Sequence, residues 1–131
     1  MPAVPHTIDI VVSDMAKALA FYRLLGLKAE PGTEDRPQVE TKGINGYSVG
    51  FVSEAMVRQH YPDWATPVGQ RVTLAFACDS AAELDRLYAE VEAAGHPGDK
   101  APWDSFWGQR YAFLRDPDGN RVDLFAEIDQ A

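Results

Sequence analysis

The pattern of oily and polar positions changes period several times along the chain. Across HTIDIVVS, residues 6–13, Ile8, Ile10 and Val12 alternate with Thr7, Asp9 and Val11, the period-two signature of a strand with one apolar face. The period then becomes helical: Met15, Ala18, Leu19, Tyr22 and Leu25 fall on one stripe of SDMAKALAFYRLLG. Ser13 or Asp14 offers a capping oxygen at its start, and Gly26 supplies the left-handed residue that ends it. Half a chain later the plan repeats. Val72, Leu74, Phe76 and Cys78 share one face of RVTLAFAC, Ser80 and Glu83 have capping-box spacing, and Leu84, Leu87, Tyr88, Val91 and Ala94 restore the helical stripe before Gly95.

After each helix the pattern returns to strands. Gln38–Lys42 and Tyr47–Ser53 flank a turn at Gly43–Gly46, and Gln109–Arg115 and Asn120–Phe125 flank Asp116-Pro117-Asp118-Gly119, a strong tight-turn signal. A short helix is expected over Glu54–His60, stopped by Pro62, and the Pro- and Gly-rich segment 61–70 reads as a link. The predicted class is α+β: one domain, 1–131, of two βαβββ modules at about 4–66 and 70–128. Their curled mixed sheets form a cleft, with the helices outside. Residues 101–108, where Pro, Asp, Ser and Gly surround two Trp, are expected to be a loop leading into a strand.

Composition narrows the function. With 131 residues, 46% of them hydrophobic, the chain is long enough to build a core without staples. Twenty acidic residues against 12 basic give a net charge of −8, which argues against binding nucleic acid through its phosphates and suits a neutral or cationic ligand. One cysteine, Cys78, excludes an internal disulfide and a cysteine zinc cage, and its place on the oily face of its strand predicts a buried, inert thiol. The N-terminus lacks a basic region and Asp9 interrupts its apolar run, so no signal peptide is expected; no apolar run is long enough to span a membrane. The expectation is a cytoplasmic protein.

Two motifs carry a family resemblance. Asp14-x3-Ala18-x2-Phe21-Tyr22-x2-Leu25-Gly26, and Asp116-Pro117-Asp118-Gly119-Asn120 followed by Val122-Asp123-Leu124-Phe125, resemble the vicinal oxygen chelate superfamily, which includes glyoxalase I, extradiol dioxygenases and bleomycin-resistance proteins. The match covers essentially the whole chain, but both motifs are structural and specify fold better than function. Three further stretches resemble the mitomycin-binding self-resistance proteins of antibiotic producers. These are Asp14-Met15-Ala16-Lys17 with Phe21-Tyr22-Arg23, Pro62-x-Trp64-x2-Pro67-x-Gly69, and Pro102-Trp103-x3-Trp107-Gly108-Gln109-Arg110-Tyr111-Ala112. Such proteins hold a flat chromophore between aromatic side chains without reacting with it. The residue that stacks on the drug there matches Trp107, and a polar His near it matches Gln38.

In the enzymes of the superfamily, His, Glu or Gln side chains hold a divalent metal that activates bound oxygens. By the same resemblance, the ligand positions here fall at Thr7, Thr73, Asp123 and Val49 or Phe51. One oxygen donor, Asp123, does not make a metal site. His6, His60 and His96 read as isolated turn or surface histidines, with His6 one residue from a ligand position.

The remaining candidates are aromatic and acidic. If Ala112 and Leu114 face a helix, Tyr111 and Phe113 line the cleft, with Phe51 and Tyr47 on the symmetry-related strand; the alternative is that these rings fill the core. Trp103 is divided between packing and ligand contact, and Trp64 reads as packing. Asp9 and Asp123 fall on mixed strand faces, available as polar contacts, and Arg110 could pair with either. The reading is non-catalytic sequestration of a planar aromatic antibiotic, a quinone or a quinoline- or quinoxaline-bearing peptide, conferring self-resistance. Trp107, Phe51, Tyr47 and Tyr111 stack in this reading, Trp103 is a further candidate ligand contact, and Gln38, Asp9 and Asp123 make polar contacts. It needs no cofactor, and the resemblance implies a homodimer. The alternatives are a metal-dependent glyoxalase- or dioxygenase-type enzyme, or a binding module for an aromatic biosynthetic intermediate.

Overall fold

Strand β1, Thr7–Val12, pairs in parallel with β3, Ser48–Ser53, which pairs antiparallel with β2, Gln38–Lys42, so the first sheet has the order β1-β3-β2. These observations come from a computed structural model that describes residues 3–128. The chain divides into two compact units, Met1–Thr66 and Pro67–Ala131. Among the described residues no helix is long and apolar enough to cross a membrane.

In the first unit, Ile10, Phe51 and Val39 stand side by side in register and so share one face, as do Ile8, Val49 and Thr41. Helix α1, Met15–Leu24, buries Met15, Ala18, Leu19, Phe21 and Tyr22. Tyr22 meets Phe51 with ring centroids 5.0 Å apart, which places α1 on that face. Asp14 caps the helix by accepting from the Lys17 backbone N–H at 3.0 Å, and Gly26, at φ +97°, ends it. Helix α2, Glu54–His60, follows β3 directly and is capped by Ser53, whose hydroxyl accepts from the Met56 N–H at 3.2 Å.

The second unit contains β4, Leu74–Ala77; α3, Ala81–Ala93; β5, Gly98–Asp104; β6, Gln109–Arg115; and β7, Arg121–Glu127. Its sheet order is β4-β7-β6-β5, with β4 parallel to β7 and the other pairs antiparallel. Ala112, Leu114, Val122, Leu124 and Ala126 form its buried face, with Leu84, Tyr88 and Val91 of α3. Ser80 caps α3 by accepting from the Glu83 N–H at 3.1 Å, whereas the Glu83 carboxylate pairs with Arg86 at 2.7 Å. The β6–β7 turn is organised by Asp116. Its carboxylate accepts from the Asp118 and Asn120 N–H groups at 3.0 and 2.8 Å and from the Asn120 side chain at 3.1 Å.

Three expectations need correction. The second unit is βαβββ, but the first is βαββ followed by α2. The missing strand is reduced to a single antiparallel bridge from Lys28 to Lys42, because Pro31, Gly32 and Pro37 and a run of charges interrupt the segment that would extend it. The sheets are small, three- and four-stranded, and not strongly curled. Trp103 lies on β5, not in a loop: Pro102 is tolerated because β5 is an edge strand whose pairing to β6 slips twice.

Candidate functional site

The face of the four-stranded sheet opposite the buried one is built from the alternate residues of β5, β6 and β7. Register places Trp103, Tyr111 and Phe125 in one row and Lys100, Phe113 and Asp123 in the next. Trp103 lies 5.9 Å from Tyr111 and 5.2 Å from Phe113, and Tyr111 is stacked on Phe125 at 6.0 Å. A continuous aromatic wall results, with the Trp103 ring tilted 52° to Tyr111 and edge-on at 78° to Phe113, on strands whose other face is core.

The β5–β6 hairpin extends this wall. The Ser105 hydroxyl donates to the Gln109 carbonyl at 2.6 Å, and Gly108, at φ +88°, allows the tight reversal. Phe106 and Trp107 stand at its tip, 97% and 49% exposed, with their rings edge-to-face at 5.0 Å. Trp107 reaches back to Tyr111 at 5.5 Å. Its indole N–H donates to the Gln109 side chain at 2.9 Å, and Gln109 donates to Glu127 at 2.7 Å. These bonds orient the indole while leaving half of it open.

The polar groups sit at the other end of the wall. The Asp123 side chain is 10% exposed and accepts from Arg121 Nε at 3.1 Å. Burial pushes the Asp123 carboxyl above its usual range, and Arg121 opposes that shift. Burial, then the neighbouring Asp123 charge, raises the Tyr111 phenol. Arg121 also lies over the Phe113 ring, 4.3 Å from its centroid, and Lys100 Nζ over Trp103 at 3.8 Å. Arg110 pairs with neither Asp9 nor Asp123; it donates to Asp85 of α3 at 2.7 Å and to Asp104 at 2.8 Å.

Of the residues singled out by sequence, the structure thus gathers Trp103, Trp107, Tyr111 and Asp123 on one surface. Asp9 and Gln38 lie on the open face of the first sheet, exposed, with the Asp9 carboxylate packed against the Gly50 backbone. Tyr47, 55% exposed, lines a cleft of the first unit, of about 410 Å³, together with His6, Thr7, Asn45 and Ser48 among others. There Thr7 donates to Ser48 at 3.4 Å, and Ser48 donates to Glu40 at 2.7 Å. Phe51 must be withdrawn as a ligand contact: it is 0% exposed and packs on Tyr22, on the helix side of its sheet. The signal was present, since Val49 and Phe51 continue the oily parity while Ser48 and Gly50 mark the open one. Sequence reading passed over Phe106, Lys100 and Arg121. Arg121 stands two residues before Asp123 in one strand, which alone puts both on one face.

The donor set does not fit a resident metal of the superfamily type. Among the described residues no group of three His, Cys, Asp or Glu side chains could hold an ion, and the carboxylate at the expected position is engaged by Arg121. Thr73 lies outside β4, whose pairing begins at Leu74.

Among the curated proteins none matches the chain by sequence. Solved structures do. A glyoxalase/bleomycin resistance protein/dioxygenase family enzyme from Burkholderia phytofirmans PsJN superposes with a TM-score of 0.81 at 20% identity, over 93% of this chain and 97% of that one. A hypothetical protein, SA1046, from S. aureus gives 0.79 at 21% identity, over 96% and 94%. Lactoylglutathione lyase from Agrobacterium tumefaciens gives 0.67 at 22% identity, over 95% and 94%. At these identities the likeness is one of fold. The sequence model of the glyoxalase/bleomycin resistance protein/dioxygenase superfamily matches residues 4–124. With the helix-backed mixed sheets and the Asp116–Asn120 turn inside that span, the chain belongs to this superfamily.

Proposed function

We propose that this protein binds a planar aromatic small molecule on the open face of β5–β7 and sequesters it without chemical change, an antibiotic in a self-resistance role. The observation that carries the reading is the aromatic wall itself: Trp103, Tyr111 and Phe125 abreast, with half-exposed Trp107 at the rim. The fold needs no such row on a face away from its core. The Trp107-Gly108-Gln109-Arg110-Tyr111 stretch, which resembles mitomycin-binding proteins, forms the rim and first turn of that wall.

Burying roughly 200 Å² of apolar surface at about 25 cal/mol per Å² contributes about 5 kcal/mol, and two ring contacts add about 1–3 kcal/mol. Before association costs, that sum sets a ceiling near micromolar affinity for stacking alone. The working assembly in this proposal is a homodimer in the cytoplasm, which sedimentation of the purified protein checks for its first part.

The test is a titration of chelator-treated protein with mitomycin, quinoxaline-bearing peptides and bleomycin, following tryptophan fluorescence. Saturable quenching at one ligand per chain, abolished in Trp107→Ala, is expected. Absence of quenching by every compound, with activity that returns on adding a divalent metal, would replace the reading with metal-dependent enzymology.

A further inference from the structure

The aromatic wall is not uniform along its strands. Past the row of Trp103, Tyr111 and Phe125 come Lys100, Phe113 and Asp123, and then Arg115 opposite Arg121. Rings give way to cations in one direction, while Gln109 and Glu127 stand at the other end. The cations differ in what they already hold. Arg115 is committed, donating to the Gly119 carbonyl at 2.9 Å and pairing with Asp99 at 3.2 Å. Arg121 uses its Nε on Asp123 and keeps 39% of its side chain exposed; no described residue accepts from its two Nη groups. Lys100 has no carboxylate partner among the described residues, and its ammonium rests on the Trp103 ring.

Arg121 is also aimed. Asp123 fixes the Nε edge of the guanidinium and the Phe113 ring supports its plane, so the Nη donors project as a pre-set fork. A guanidinium stacked on a ring gives up little hydration when an anion approaches. The chain's −8 charge does not cancel this locally, because exposed charges beyond about 8–10 Å are largely screened at physiological salt.

We propose that Arg121 and Lys100 form a carboxylate-recognising end of the aromatic wall, so that the preferred ligand is a planar aromatic acid. Its rings lie on the Trp103, Tyr111 and Phe125 row, and its carboxylate meets the Nη donors of Arg121 and the ammonium of Lys100. This rests on the stacking reading and reverses the expectation, drawn from net charge, of a neutral or cationic ligand. It also gives Asp123 a role: it holds the cation that reads the ligand's oxygens, in the strand position where the superfamily resemblance places a metal ligand.

The experiment compares quinoxaline-2-carboxylate with quinoxaline-2-carboxamide by tryptophan quenching. The rings are identical and only the charge differs. The acid is expected to bind about tenfold tighter or more. That preference is expected to shrink at high salt, in Lys100→Gln, and in the paired variant Arg121→Gln/Asp123→Asn, which leaves no orphaned carboxylate. Lys100→Gln sits on an edge strand and keeps the Arg121–Asp123 pair, so a folding defect in the paired variant does not remove the test. Equal binding of the two probes, or an acid preference that survives both variants, overturns the inference and leaves stacking intact. Quenching by neither probe removes the stacking reading, and the inference falls with it.

Discussion

Replacing Gly98 with alanine tests how α3 is seated on the strand that carries Trp103. Gly98 opens β5, and a methyl group built there would run into the hydroxyl and ring carbons of Tyr88. Tyr88 is 7% exposed, so its ring cannot move aside without losing contact or entering water. Overpacking of this kind costs about 1–3 kcal/mol, while alanine restricts the unfolded chain and returns about 0.4–1 kcal/mol. The net expectation is a loss of about 0–2.6 kcal/mol, or up to roughly 10 °C in Tm for a domain of this size. Urea melts of Gly98→Ala, Tyr88→Phe and the double variant complete the cycle. Removing the hydroxyl relieves the first collision, so the double variant should recover about 0.5–1.5 kcal/mol relative to additivity. A Gly98→Ala protein as stable as the parent, with no coupling to Tyr88→Phe, would show that the phenol is not lodged over β5.

Three other outcomes are expected. Asp116→Ala removes a buried carboxylate that accepts three hydrogen bonds in the β6–β7 turn, and should cost about 1–3 kcal/mol in urea unfolding; a cost below about 0.5 kcal/mol would contradict that role. Burial raises the Asp123 carboxyl above its ordinary 3.8, so the folded state binds this proton more tightly than the unfolded chain. The resulting penalty is absent well below the unfolded value and fully present above the folded one. Asp123→Asn should therefore gain on the parent between about pH 3 and pH 7 in matched melts, and a gain that shrinks as pH rises would refute the sign. Burial, aided by Glu83 and Asp79, also raises the Cys78 thiol, so iodoacetamide at pH 8 should modify Cys78 more slowly in the folded protein than in urea.

Much of the fold was legible because local chemistry and tertiary structure agree. Asp14 and Ser80 cap the helices they were expected to cap, and the alternation in β6 does put Ala112 and Leu114 inside with Tyr111 and Phe113 on the opposite face. β5 escaped notice because Gly98 and Pro102 punctuate it and its register slips twice, so no clean period survives in the sequence. The missing strand of the first unit erred the other way: internal repetition argued for it, but local composition prevailed. Phe51 shows the limit of repeat symmetry as a guide: the symmetry sets it beside Tyr111, whereas the oily parity of its own strand, Val49 and Phe51 against Ser48 and Gly50, puts it on the helix side. Tyr47 and Trp107 are both exposed aromatics beside turns, and only the structure assigns the one to a cleft of the first unit and the other to the wall of the second. The cationic end of the wall is hidden in the sequence because Lys100 lies in β5, where no clean period survives, and because Arg121 carries no motif of its own.

Where an aromatic ligand lands tests the central claim most directly. Titrating ¹⁵N-labelled protein with quinoxaline-2-carboxylate and following the indole N–H signals of Trp103 and Trp107 beside the backbone signals of 45–48 separates the two candidate surfaces. The account predicts that both indoles and the amides of β5–β7 shift together and saturate together, while 45–48 stay still. Shifts confined to 45–48 and His6, with both indoles unmoved, would place the ligand in the cleft beside Tyr47 and contradict the assignment of the aromatic wall.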